Sequence, residues 1–180
     1  MMPHELKHKS FLLLVGGLPA TGKTWFARTL ADKLDVIHIN SDTLRSELGL
    51  RGHYEPASKQ LVYEAMLERG EQTLKNGYSL IVDSTFYLQK LRKPWLQLAE
   101  KYGIPCFFIE ITVPDEIAFD RLRQSRQDSE ATLEVYLKLK TAWEDIGFPH
   151  LKLDSSHMSL AEMVAQAMFF ISENHDTRTG

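Results

Sequence analysis

The feature that most constrains this chain is the run at residues 11–24, which reads FLLLVGGLPATGKT. Its first five residues are all apolar, as is typical of a strand buried on both faces of a sheet. The pattern G-x-x-x-x-G-K-T follows from Gly17 to Thr24, and a segment with helical periodicity begins there. A strand, a glycine-rich loop and a helix in this order predict a phosphate-binding loop of the Walker A type. An ordinary glycine-rich turn is the alternative.

The residue types of this loop suit a nucleoside triphosphate. Glycines allow backbone N–H groups to close around the β- and γ-phosphates, and the Lys23 ammonium neutralises their oxygens. The Thr24 hydroxyl is a ligand for Mg²⁺, and the helix that begins there points its positive dipole end at the anion. We therefore predict that the nucleotide contacts the stretch Gly17, Leu18, Pro19, Ala20, Thr21, Gly22, Lys23, Thr24 and Trp25.

Length and charge limit the remaining possibilities. The 180 residues, 43% of them hydrophobic and 25% charged, predict one globular domain over residues 1–180. A net charge of −3 supplies no basic field that would recruit nucleic acid or an anionic membrane. Cys106 is the only cysteine, so we expect a small buried side chain there and no disulfide within the chain.

The apolar segments of the sequence are all short. The run after Lys9 is shorter than the ~7 residues of a signal sequence core, and none approaches the ~18 residues of a membrane span. We therefore expect no membrane association and a cytoplasmic location.

Strand and helix patterns alternate along the chain, which predicts a parallel sheet with right-handed crossovers. The expected fold is α/β, a P-loop NTPase three-layer sandwich with a five-stranded parallel sheet. Residues 1–10 and 175–180 are expected to be mobile. Strands are predicted at 11–15, 36–39, 79–82, 105–113 and 151–153, and helices at 23–34, after 41, and at 57–75, 88–102, 114–126, 133–143 and 160–171.

Two acidic residues follow predicted strands and should meet the phosphate loop at the carboxyl edge of the sheet. Asp42 follows the second strand, and a carboxylate there can accept a proton from an attacking hydroxyl, whereas helix capping is its alternative role. Arg45, one turn later, is predicted to share its helix face and to bind an anionic acceptor or the transferring group. Asp83 ends the apolar run LIVD, typical of a Walker B acid that holds Mg²⁺, with turn capping as the alternative.

Arginines and aromatic residues supply further candidates. Arg121 and Arg126, at the end of a predicted helix, are expected to act as a lid over residues 121–131 that clamps the transferring phosphate, although a solvated helix face is the alternative. The helical position of the three tryptophans favours packing roles. An acceptor pocket is predicted from position alone, lined by Gly52, His53, Tyr54, Glu55, Phe86, Tyr87 and Arg92.

In order, the segments GLPATGKTWFARTLA, INSDTLRSELG, GYSLIVDSTF and RLRQSRQDSEAT resemble a group of bacterial P-loop kinases. These are related to zeta toxin and to the kinase domain of polynucleotide 5′-hydroxyl kinase. The resemblance implies an S-D-x-x-R element with Asp42 as general base and Arg45 at the acceptor, and a strand-three element at Asp83. The chain departs from the family at Ser46, where many members have lysine, and at Glu130 in the lid, where they have aspartate.

The resemblance implies an ATP- and Mg²⁺-dependent kinase that transfers the γ-phosphate of ATP to a hydroxyl group. Lys23, Asp42, Arg45, Arg121 and Arg126 are the predicted catalytic residues, and Thr24 and Asp83 the predicted metal ligands. A small-molecule acceptor is favoured because the chain is not basic. The alternatives are a polynucleotide 5′-hydroxyl kinase and a non-catalytic ATP-binding switch module, which would have no need of a carboxylate at the Asp42 position.

Overall fold

A computed structural model of the chain describes residues 10–124 and 132–175. Within these ranges the chain forms one five-stranded sheet, all parallel, in the order β2-β3-β1-β4-β5. The strands are β1 (Leu12–Gly16), β2 (Ile37–Asn40), β3 (Leu80–Asp83), β4 (Cys106–Thr112) and β5 (Leu151–Asp154). The helices are α1 (Lys23–Leu34), α2 (Ser41–Glu47), α3 (Pro56–Lys75), α4 (Gln89–Tyr102), α5 (Asp115–Gln124), α6 (Leu133–Thr141) and α7 (Leu160–His175).

The element order, the parallel sheet and the α/β class are as predicted, and the bounds differ mainly at helix ends. Helix α6 ends at Thr141 rather than residue 143, and α7 continues past residue 171 to His175. The last turn of α7 persists because Ile171 and His175 are both buried. Most of the predicted mobile ends at 1–10 and 175–180 and the part of the predicted lid at 125–131, which includes Arg126 and Glu130, lie outside the described residues. His175 is described, and because it is buried in α7 the mobility expected for it is wrong.

The sheet is covered on both faces, which gives the predicted three layers. One apolar core joins alternate residues of β1 and β4 to α1 and α7, with Leu30 and Ile171 in its interior. The other core joins the opposite face to α3 and α4, with Met66 and Trp95 in its interior. Strand β1 lies between β3 and β4, and burial on both faces explains its unbroken apolar sequence.

The exit from β1 has room only for glycine. A Cβ atom added at Gly16 would lie 2.4 Å from the Phe108 ring, and one added at Gly17 would lie 2.5 Å from the Ile111 carbonyl oxygen. The backbone therefore passes close over β4 before it turns into α1. This close passage sets the position of the loop that follows.

Cys106 is buried as expected. None of the helices in the described ranges is both long enough and apolar enough to cross a lipid bilayer.

Candidate functional site

The loop between β1 and α1 is stabilised by hydrogen bonds from its own side chains to its backbone. Ala20 and Gly22 have positive φ angles of 64° and 86°, and the Thr21 hydroxyl donates to the Leu18 carbonyl oxygen at 2.9 Å. The Lys23 ammonium donates to the same carbonyl oxygen at 3.5 Å, so this side chain folds back over the loop. Gly22 is the N-cap of α1, and no side chain of the described residues caps this helix. Its first N–H groups are therefore available to bind an anion.

The ends of β1, β2 and β3 meet beside this loop, as predicted. In the sheet register Asp83 is level with Val15 on one side and with Asn40 on the other. The Asn40 amide nitrogen donates to Asp83 Oδ2 at 2.7 Å and to the Thr24 hydroxyl oxygen at 3.3 Å. One amide therefore links the last residue of the phosphate loop to the acid at the end of β3.

Asp83 is suited to hold a divalent cation. Its side chain has an exposed fraction of 0%, and His38 Nε2 lies 3.6 Å from Oδ2. The second oxygen, Oδ1, is buried and has no hydrogen-bond partner within the described part of the chain. A buried carboxylate oxygen of this kind needs a ligand, and together with the Thr24 hydroxyl it offers the hard oxygen donors that Mg²⁺ prefers. The residues present therefore fit a nucleotide-bound Mg²⁺.

Helix α2 is capped by Asn40 and not by Asp42, for which capping was the alternative role. The Asn40 side-chain oxygen accepts hydrogen bonds from the Thr43 backbone N–H at 2.8 Å and from the Thr43 hydroxyl at 3.1 Å. Asp42 lies in the first helical turn with an exposed side chain. The capping alternative for Asp42 is therefore wrong, and its carboxylate is exposed at the edge of the sheet where β2 ends.

Arg45 does not share the exposed face with Asp42, contrary to the sequence prediction. Its side chain is only 6% exposed, donates to the His53 carbonyl oxygen at 2.7 Å and lies 4.5 Å from the Tyr54 ring centroid. Leu44 and Arg45 are the buried positions of α2, because the segment after the helix folds back over them. The Arg45 Nε is buried without a hydrogen-bond partner among the described residues.

Two polar residues near Ser84 and Arg45 were not singled out from the sequence. The Tyr63 hydroxyl lies 3.3 Å from the Ser84 hydroxyl, and burial raises the pKa of Tyr63. Burial lowers the pKa of Lys59, and repulsion from Lys138 and Arg45 lowers it further. Both missed residues, Tyr63 and Lys59, lie on α3. No motif marked them, because α3 is brought over the end of β3 only by tertiary packing.

Arg121 lies on the other side of the phosphate loop. Its guanidinium donates to the Ala20 carbonyl oxygen at 3.0 Å and to the Ser155 hydroxyl at 3.2 Å. It borders a cavity of about 470 Å³ that is also lined by Gly22, Trp25, Phe26, Met158, Leu160 and Met163. Trp25 is 72% exposed, so the packing role expected for it is wrong. Trp95, at 2%, does pack in the core as expected.

Arg92 does not line a pocket, contrary to the expectation from its position. The side chain is 2% exposed and donates to the carbonyl oxygens of Phe86, Glu144 and Asp145 at 2.7–3.1 Å. It therefore fastens the segment after α6 to the segment after β3. Sequence position could not distinguish this role, because all three partners are backbone atoms.

The fold and this site define a P-loop nucleotide-binding domain with the architecture of P-loop kinases. A family model described as an AAA domain matches residues 12–145, and the chain belongs to that family. This agrees with the resemblance drawn from the four sequence segments.

Two curated relatives match over most of the chain. An uncharacterized protein of Mycobacterium tuberculosis strain H37Rv is 27% identical over 155 residues, covering 78% of this chain and 31% of the relative. The chain thus spans about a third of the length of that relative. The L-seryl-tRNA(Sec) kinase of Methanococcus maripaludis is 21% identical over 179 residues, covering 93% of this chain and 68% of the relative.

Solved structures share the fold. A putative kinase from Chloroflexus aurantiacus superposes with a TM-score of 0.74 at 17% identity, covering 92% of this chain and 97% of that one. A gluconokinase from Sinorhizobium meliloti superposes with a TM-score of 0.69 at 16% identity, covering 94% of each chain. At this identity the likeness shows the fold alone.

Proposed function

We propose that this protein is a kinase that transfers the γ-phosphate of ATP to a hydroxyl group of a small molecule. The observation that carries the proposal is the position of Asp42. This residue is exposed, is not used as a helix cap, and lies two positions after Asn40, which bonds to both Asp83 and Thr24. A switch module that only binds ATP would have no use for a carboxylate there.

Each residue of the site has a role in this reaction. Backbone N–H groups of the loop and the Lys23 ammonium bind the triphosphate, while Thr24 and Asp83 would hold Mg²⁺. When bound, Mg²⁺ neutralises charge on the phosphate oxygens. The acceptor oxygen forms a bond to the γ-phosphorus as the bond from that phosphorus to the β–γ bridging oxygen breaks. ADP leaves, and the acceptor proton passes to the Asp42 carboxylate.

The cavity beside Arg121 is suited to the nucleoside. Its lining is mostly apolar, and it begins at Ala20 and Gly22, on the α1 side of the phosphate loop. The exposed Trp25 indole and the Arg121 guanidinium are both flat groups on which a nucleobase can stack. This assignment places Arg121 against the nucleoside, whereas the predicted lid role places it on the transferring phosphate.

The acceptor is proposed to carry a negative charge. The Arg45 guanidinium is nearly buried, and the carboxylate that interacts with it, Glu55, is about half exposed and accepts a hydrogen bond from Ser58. A buried cation of this kind favours a further anion close to it. Lys59 and Lys138 add further positive charge on this side. A phosphate or carboxylate group on the acceptor would supply this anion.

A polynucleotide acceptor is the second candidate, and the similarity to L-seryl-tRNA(Sec) kinase favours it. Against it stands the net charge of −3. A single strand held by several phosphate contacts would lose affinity steeply with salt, with a slope in log K of about −0.7 per contact. A small anionic acceptor would show a much weaker dependence.

The test is transfer of labelled phosphate from ATP onto pooled metabolites and onto 5′-hydroxyl oligonucleotides, with the parent and with Asp42→Asn. We expect a labelled anionic small molecule with the parent and ~10²–10⁴-fold slower labelling with Asp42→Asn. Strongly salt-dependent labelling of the oligonucleotide alone would overturn the small-molecule acceptor. Equal rates in both proteins would show that Asp42 is not the base.

A further inference from the structure

The Asn40 side chain uses every hydrogen-bonding position that it has. Its two amide hydrogens go to Asp83 Oδ2 and the Thr24 hydroxyl oxygen, at 2.7 and 3.3 Å between heavy atoms. Its oxygen accepts from both the backbone N–H and the hydroxyl of Thr43. An asparagine side chain has two donors and two acceptor lone pairs, so these four hydrogen bonds use its full capacity.

The two halves of this amide face different functional parts. The nitrogen faces the candidate metal ligands, whereas the oxygen holds the first turn of α2, which carries Asp42. Asn40 itself is held on β2, level with Asp83 in the sheet register. Any change that fixes the Asp83 carboxylate therefore fixes the amide plane, and with it the cap of α2.

We infer that Asn40 is a positioning residue that couples the Mg²⁺–nucleotide site to helix α2, so that loading the site orders the acceptor side. This inference rests on the proposed function, because it takes Thr24 and Asp83 as the groups that hold the metal. Asp83 Oδ2 is already engaged by Asn40, with His38 Nε2 at 3.6 Å, and Oδ1 is the oxygen left for the metal side. Asn40 thus selects which oxygen faces the nucleotide.

Asn40→Ser separates the role of the amide nitrogen, which bonds to the metal side, from the role of the amide oxygen, which caps α2. Serine is as good an N-cap as asparagine, so the cap of α2 is kept. Its short side chain cannot reach both Asp83 and the Thr43 N–H, so the link to the metal side is lost. Ser46→Ala is the matched control, because it removes a hydrogen bond to the Asp42 carbonyl within α2 and touches neither Asp83 nor Thr24.

The experiment measures amide hydrogen exchange with and without Mg²⁺ and the non-hydrolysable analogue AMPPNP. In the parent and in Ser46→Ala, we expect binding to slow exchange both in the phosphate loop and at residues 43–48. In Asn40→Ser, the loop should remain protected at saturation while residues 43–48 exchange as in the free protein. The Mg²⁺ concentration for half-maximal AMPPNP binding should rise about 10- to 100-fold, as is usual when a group that orients a metal ligand is removed.

A second comparison needs no variant and uses the parent protein with AMPPNP, in the presence of either Mg²⁺ or EDTA. Only AMPPNP with Mg²⁺ should protect residues 43–48 from exchange. Protection of the loop without protection of α2 in the parent would overturn the coupling and leave the proposed function standing. Equal protection of α2 in Asn40→Ser and in the parent would overturn it as well. Absence of loop protection in the parent would overturn both.

Discussion

The Arg121 guanidinium donates a hydrogen bond of 3.0 Å to the carbonyl oxygen of Ala20, inside the phosphate loop. Arg121→Ala removes this contact and one wall of the 470 Å³ cavity. We expect the Kd for Mg²⁺–ATP to rise by about 2- to 30-fold, because the nucleobase loses the guanidinium on which it is proposed to stack, a contact of about 0.5–2 kcal/mol. Isothermal titration calorimetry with Mg²⁺–ATP measures the Kd of both proteins.

Arg123→Ala is the matched control, since Arg123 is 68% exposed and is paired with Asp120. It should leave the Kd unchanged. If Arg121→Ala instead lowers kcat with an unchanged Kd, the guanidinium acts on the transferring phosphate, as the lid prediction holds.

Lys23→Ala tests the phosphate loop itself. At a hundredfold excess over Kd, a ligand stabilises the protein to which it binds by ~2.7 kcal/mol. For a chain of this size that corresponds to a rise in Tm of roughly 5–11 °C on adding Mg²⁺–ATP to the parent. The variant should lose most of this rise, because the ammonium neutralises phosphate charge. A thermal shift assay that gives the same rise for both proteins would refute the assignment.

Asp42→Asn and Asp83→Asn should differ in their dependence on the metal. Asp42→Asn should fold and bind Mg²⁺–ATP like the parent, because Asn40 caps α2, and only transfer should fall. Asp83→Asn should raise the Mg²⁺ concentration needed for nucleotide binding as well as slow transfer, because Asp83 is the buried acid beside Thr24. Titration of Mg²⁺ at fixed ATP distinguishes the two. If Asp42→Asn transfers at the parent rate, Asp83 becomes the first candidate for the base.

Arg92 is predicted to stabilise the fold and not to bind the acceptor. Arg92→Met keeps the apolar stem but leaves the carbonyl oxygens of Phe86, Glu144 and Asp145 without their donor. We expect the free energy of unfolding to fall by about 2–4 kcal/mol in urea denaturation. Lys93→Ala, an exposed position in the same helix, should change it little. If Arg92→Met is as stable as the parent but has an altered KM for the acceptor, Arg92 binds the acceptor and the structural role is wrong.

Tyr136 should make the stability fall at high pH. Burial, and then its hydrogen bond to Asp115, raise the pKa of Tyr136 from the usual 10 to about 12. The folded state therefore holds this proton more tightly than the unfolded state. Its contribution is fully present below pH 10 and is lost as pH rises from 10 to about 12. Urea denaturation from pH 8 to 11.5 should show a smaller loss for Tyr136→Phe than for the parent, and equal slopes would contradict the prediction.

Much of the fold could be predicted because its signals are local. The apolar run of β1 and the alternation of strands with helices required a parallel sheet, and the strand ends then had to meet at one edge. The helix ends were the weaker part. Helix α7 continues past residue 171 because Ile171 and His175 find cover in the core, and burial of that kind has no signature in the neighbouring residues.

The candidate site divides in the same way. The spacing of glycines, Lys23 and Thr24 determined the phosphate loop from the sequence alone, because backbone and side chain act there within eight consecutive residues. Tertiary structure decided three other features of the site. Asn40 caps α2, Arg45 is buried under the segment that follows this helix, and Arg92 binds the carbonyl oxygens of two separate segments. Each feature depends on partners that are distant in the chain or that are backbone atoms, as with Arg92 and the Glu144 carbonyl oxygen. The type of a residue does not indicate partners of either kind. Asn40 shows this most clearly, because its role comes from Asp83, 43 residues away.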